Sequence, residues 1–231
     1  MTKKIIYLLR LLQKFKIQRV FLQMALLSSL FIALTGCESF RDEIENNREE
    51  VVIERSIDMD KSALLVIDIQ NDYFNGGKYA LANSEEASVK AQELLQFYRE
   101  KGHTIVHIKH INKGLVVPFF AENSDGAKIH KNVTPLDDEK VITKYVVDSF
   151  SDTDLDDFLK SKKITDMVVC GMQTNVCVQT ASLTGQKKGY NLSVVHDAVA
   201  ARTEKIHLDT LEMLGNKNIM LRTVADIVKT H

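Results

Sequence analysis

Val168-Val-Cys-Gly-Met-Gln-Thr-Asn-Val-Cys-Val-Gln-Thr-Ala181 is an apolar run that stops at a glycine, crosses a short polar turn and then becomes helix-friendly. The run up to Gly171 reads as a buried strand. Val178, Ala181, Ser182 and Gly185 then keep small side chains on one face of the helix that follows. The turn delivers Cys177 into the first turn of that helix. Unsatisfied N–H groups and the positive end of a helix dipole favour a thiolate there, which is how a cysteine nucleophile is made ready near neutral pH. Free cysteine is also among the most buried residue types, and Cys170, inside the apolar run, reads as core. Cys177 takes its functional reading from residues elsewhere in the chain.

From Ala63 onward, apolar runs alternate with helical patterns. Strands are expected over residues 63–69, 104–109, 140–146, 166–170, 192–196 and 219–221. Helices are expected over 85–101, 153–162, 175–188, 204–214 and 224–229, with Gly102 closing the first and Asp152 capping the second. Repeated strand–helix units imply a parallel sheet covered on both faces. In such sheets ligands bind beyond the carboxyl ends of the strands, where the strand order reverses. Residues 111–139 lack periodicity and hold both prolines, so they read as a long loop of the kind that tends to be functional.

The chain has 231 residues, and its start has a different character. Lys3, Lys4, Arg10, Lys14, Lys16 and Arg19 precede an uncharged stretch from Val20 to Cys37. A basic segment, an apolar segment and a small-residue site make a secretory signal. Leu34-Thr35-Gly36-Cys37 resembles the lipobox of bacterial lipoproteins, which implies a signal over residues 1–36 and lipidation at Cys37. The chain would then be anchored by lipid on the exported side of a bacterial cell envelope; an uncleaved membrane anchor is the alternative. Residues 37–61 are dense in charge and read as a solvated tether, with a short element at 51–53, leaving 62–231 as the domain.

Six of the 30 Lys and Arg residues lie in that start, so 24 basic face 31 acidic residues afterwards, a net of about −7. Such a balance argues against a nucleic-acid-binding surface. Two cysteines beyond Cys37 make no disulfide framework.

Asp68 ends Ala-Leu-Leu-Val-Ile-Asp, and a carboxylate beside so apolar a run is costly unless paired. Lys144 follows Val-Ile-Thr at the end of another strand. With Cys177 these types form a working set: a carboxylate to take the thiol proton, an ammonium to hold both anions, and a sulfur to attack. All three would project from the carboxyl edge of the sheet.

Asp-Ile-Gln-Asn-Asp-Tyr (68–73), Ile-His-Lys-Asn-Val-Thr-Pro (129–135), Val-Ile-Thr-Lys (141–144), Ser-Phe (149–150) and Gly-Met-Gln-Thr-Asn-Val-Cys-Val-Gln-Thr-Ala (171–181) resemble the isochorismatase-like cysteine hydrolases, from about Ser62 to Leu221. The resemblance implies a three-layer α/β/α sandwich around a six-stranded, mostly parallel, doubly wound sheet. It implies Asp68, Lys144 and Cys177 as a catalytic triad and a cis peptide between Met172 and Gln173. The N–H groups of Gln173 and Cys177 would then form an oxyanion hole, worth roughly 10²–10³ in rate per donor. The reaction implied is hydrolysis of a C–N bond in a small amide or carbamoyl compound, and homo-oligomers are implied too. Hydrolysis of a small ester or vinyl ether, or an idle relative serving as an envelope binding protein, are the alternatives.

Nicotinamidases of that family carry an Asp-x-His pair and a further histidine that bind a metal after the second strand. Here the stretch is His107-Ile-Lys-His110-Ile-Asn112, and residues three apart on a strand point to opposite faces. No metal and no cofactor are therefore expected, and true isochorismatases lack the cysteine. Phe74, His110 and Phe150 are candidate walls of the substrate pocket. His130 and the His196-Asp197 pair read as loop anchors.

Overall fold

Ser62–Ile67 (β1) is buried at every position because both of its faces are covered. Leu64 and Val66 join one core, while Ala63, Leu65 and Ile67 join the core on the opposite face. The computed structural model describes residues 56–230. The basic segment, Cys37 and the element expected at 51–53 lie outside the described residues. Among the described residues, no helix is long and apolar enough to cross a membrane.

β1 lies between Thr104–His110 (β2) and Asp166–Met172 (β4), parallel to both. Lys140–Lys144 (β3), Asn191–Ala200 (β5) and Met220–Arg222 (β6) complete an all-parallel six-stranded sheet in the order β3-β2-β1-β4-β5-β6. The order reverses between β1 and β4, so their carboxyl ends flank the crevice where α/β sheets bind ligands. Ser84–Lys101 (α1) and Val224–Thr230 (α5) pack on one face. Leu155–Ser161 (α2), Gln179–Lys187 (α3) and Glu204–Gly215 (α4) supply the other. The result is the three-layer α/β/α sandwich.

Local chemistry explains several boundaries. Glu85 and Glu86 open α1, Arg99 and Lys101 close it, and Gly102 ends it at φ 69°, each sign matching the helix dipole. α2 begins at Leu155 after Asp154, and the expected cap Asp152 lies earlier, in a left-handed turn at φ 55°. The domain also begins before residue 62: Ile57 and Met59 are buried in the core, so the expected tether stops short of them. β5 runs four residues past His196, beyond an irregularity opposite Val169–Gly171. Gly171 itself is obligatory. Its φ is +125°, and a Cβ there would lie 2.0 Å from the Ile67 carbonyl oxygen, so only glycine lets β4 pass β1 at this edge.

Candidate active site

Three elements deliver the three reactive groups. Asp68 follows β1 at φ 50°, a left-handed conformation that Asp tolerates better than most residues, with its N–H bonded to the Ile108 carbonyl. Lys144 is the last residue of β3. Cys177 lies in Thr174–Val178, a single turn of π-helix, not in the first turn of the α-helix expected from residue 175; α3 proper starts at Gln179. The Gln173 carbonyl accepts the N–H groups of Val176 and Val178, on either side of the cysteine. The Met172–Gln173 peptide bond is cis.

The side chains converge. Lys144 Nζ lies 3.0 Å from Asp68 Oδ2, and both side chains are fully buried. The ammonium also donates to the Val147 carbonyl at 2.6 Å. Asp68, His110 and Cys177 each bring a polar atom to within 4.8 Å of the others. His110 Nδ1 is 3.9 Å from Asp68 Oδ2. Such a group could gather around a cation, but the carboxylate already faces the Lys144 ammonium.

Burial dominates the Cys177 thiol and pushes its pKa up; the Asp68 charge adds to the rise and Lys144 opposes it. Burial therefore opposes the thiolate that the helical position favours, and the Asp68 carboxylate stands beside the sulfur as a base. Burial works against the Lys144 charge, yet Asp68, with Cys177 beside it, holds its pKa above the ordinary value. Cys170, on the opposite core face, is fully buried and its thiol is likewise pushed up by burial.

Phe74 stacks on His130 with ring centroids 3.7 Å apart, and His130 accepts the Asn132 N–H. Phe150 stacks against Tyr190, with Lys188 over its ring. Each phenylalanine thus has a ring neighbour of its own. His107 is buried against Glu139 at 2.8 Å. Asp197 accepts the Val224 N–H at the start of α5. A cavity of about 280 Å³ opens beside the carboxyl end of β5, lined by His196, Thr203, Glu204 and His207 among others, and none of Asp68, Lys144 or Cys177 lines it. Its wall still touches the cysteine turn, because His207 Nδ1 lies 3.1 Å from Thr174 Oγ1.

Sequence reasoning missed the work of three polar residues in 68–73. Gln70 donates to the His110 and Ala127 carbonyls, both at 2.9 Å, and accepts the His110 N–H at 2.8 Å. Asp72 accepts the N–H groups of Phe120 and Lys78. Tyr73 packs among Tyr79, Phe119 and Phe120, and its hydroxyl meets the Gln173 side chain at 3.3 Å. Their one signal in the sequence was density: polar side chains crowded directly after a fully apolar strand.

The sequence profile of the isochorismatase domain matches residues 62–226. The chain belongs to the isochorismatase family. It is similar to the isochorismatase family protein YddQ of Bacillus subtilis, with 43% identity over 145 residues, 63% of this chain and 81% of that protein. It is also similar to the nicotinamidase of Escherichia coli, at 26% identity over 60% of this chain and 83% of the relative. Among solved structures, an isochorismatase hydrolase of Oleispira antarctica superposes with a TM-score of 0.71 at 31% identity, covering 76% of this chain and all of the other. This isochorismatase-family hydrolase therefore has the fold of its relatives.

Proposed function

We propose that the protein is a cysteine hydrolase that cleaves a C–N bond of a small amide or carbamoyl compound through a thioester acyl-enzyme. The observation that carries the reading is the buried Asp68–Lys144 pair, 3.0 Å apart, with the Cys177 sulfur within 4.8 Å of the carboxylate. Asp68 takes the thiol proton, Lys144 holds the negative charge in place, and the sulfur bonds to the amide carbonyl carbon. The Gln173 and Cys177 N–H groups receive the developing oxyanion. The amine leaves with the proton from Asp68, and water releases the acid. The nicotinamidase relative, named for an amide substrate, supports amide chemistry within the family. The fully buried pair favours a small substrate.

An ammonia-release screen over small amides, comparing wild type with Cys177→Ala, tests the proposal. Turnover that survives the substitution ends it. Selective labelling of Cys177 over Cys170 by a mild thiol reagent is expected alongside.

For location, Leu34-Thr35-Gly36-Cys37 supports a lipid anchor at Cys37. Metabolic labelling with a radioactive fatty acid in a bacterial host should mark the wild-type chain and not Cys37→Ser; equal labelling of both would dismiss the anchor.

A further inference from the structure

His110 has no part in the chemistry above, yet it stands inside the site. One polar atom each from Asp68, His110 and Cys177 lies within 4.8 Å of the other two. Atoms so close together are near enough to act on one small group bound to the cysteine. The histidine is also fastened. Its N–H donates to Gln70 Oε1 at 2.8 Å, and its carbonyl accepts from Gln70 Nε2 at 2.9 Å. The Ile111 N–H after it donates to the Lys144 carbonyl at 3.0 Å, tying this end of β2 to the ammonium-bearing strand.

The charged and titratable groups facing the imidazole are Asp68, Lys144 and Cys177. Burial is the main influence holding its pKa below the ordinary histidine value; Asp68 pulls it up and Lys144 lowers it further. That balance favours the neutral ring, in which one nitrogen accepts a proton while the other carries the N–H, and Asn112 hydrogen-bonds to the ring. A site that forms a thioester must next deprotonate a water, and a neutral imidazole is the side chain best matched to that task near neutrality.

We infer that His110 is the general base of the second half-reaction, activating the water that hydrolyses the Cys177 thioester. The inference rests on the acyl-enzyme reading of the preceding section. The imidazole nitrogen takes one proton of the water as its oxygen bonds to the thioester carbonyl carbon, and the C=O π pair moves onto the carbonyl oxygen. Collapse of that intermediate restores the carbonyl, breaks the C–S bond and leaves the electron pair on sulfur. The carboxylic acid departs, and the proton on His110 passes to the sulfur, which restores the thiol and the neutral ring. No oxidant or further reactant is required.

The test uses p-nitrophenyl acetate as an acylating probe and the full-length protein. Wild type should release nitrophenolate in a rapid burst of about one equivalent per chain, followed by slower steady turnover. His110→Gln should keep the burst while the steady rate falls about 10²-fold, and the acetylated chain should accumulate in intact mass spectra. Imidazole added to the buffer should restore the steady rate of His110→Gln without changing its burst, which a merely structural role would not produce. Equal steady rates in wild type and variant, or burst and steady rate falling together with no imidazole rescue, overturn the assignment to His110. A wild-type burst that persists in Cys177→Ala, or is missing altogether, overturns the thiol reading beneath it.

Discussion

Lys144 Nζ stands 3.0 Å from Asp68 Oδ2 with neither side chain exposed to solvent. Taking two charges out of water is expensive, and their attraction repays it only while both are present. Asp68→Asn leaves a buried ammonium and Lys144→Met a buried carboxylate. Each should cost about 3–5 kcal/mol in urea unfolding, and the double substitution clearly less than the two costs combined. Simple additivity would mean that the two charges do not depend on one another.

The thiols report on pH. Cys177 and Cys170 are both pushed above the ordinary cysteine value, chiefly by burial. A group whose pKa is raised on folding contributes stability that is fully present below its unfolded pKa and is lost as pH rises toward the folded value. Urea midpoints should therefore hold steady up to about pH 8 and decline above the unfolded cysteine pKa of about 8.5. Cys177→Ala should flatten part of the decline. A midpoint unchanged between pH 8 and 10 in the wild type would contradict the burial argument.

Much of this was legible because burial on both faces leaves a plain mark on sequence. β1 and β4 read directly as apolar runs, and a charge at the end of such a run, as at Asp68, is conspicuous. The details lost were those set by tertiary contacts. The π-helical turn at Thr174–Val178 has no periodic signature different from an α-helix in so few residues. The extension of β5 past His196 depends on an irregular register with β4. The state of the Cys177 thiol depends on how deeply the turn is buried, and a helical position alone pointed the other way. Likewise residues 111–139 were aperiodic, yet they are bonded in place by Gln70, Asp72 and Glu139 from outside or at the end of the segment.

Glu139 holds Arg99 on α1, His107 on β2 and the Leu136 N–H at once. Burial tends to raise its pKa, but the hydrogen bonds, led by Arg99, bring it down to about 2. A carboxylate depressed on folding contributes stability above its unfolded pKa and loses it as pH falls through the folded one. Glu139→Gln should cost about 1–3 kcal/mol at neutral pH. The gap between variant and wild type should narrow between about pH 4.3, the ordinary glutamate value, and the lower limit set by the folded protein. A gap that stays constant across that range would place the cost in shape, not charge.

Asp72 is the latch of the loop that follows β2. Its carboxylate accepts the Phe120 N–H at 2.6 Å and the Lys78 N–H at 3.1 Å, joining the segment after β1 to the aromatic pair Phe119–Phe120. Gly126 touches the same carboxylate so closely that a Cβ would lie 2.1 Å from its Oδ1. Two different substitutions should therefore have one effect: Asp72→Ala removes the acceptor, and Gly126→Ala pushes it aside. Each should cost about 1–3 kcal/mol, the penalty for leaving the buried Phe120 N–H unsatisfied. Hydrogen exchange should quicken at Phe120 and across 111–129 while β1 and β4 keep their protection, because the sheet pairing does not pass through the latch. Uniform loss of protection in both variants would show that the carboxylate supports the whole fold and that the loop has no separate fastening.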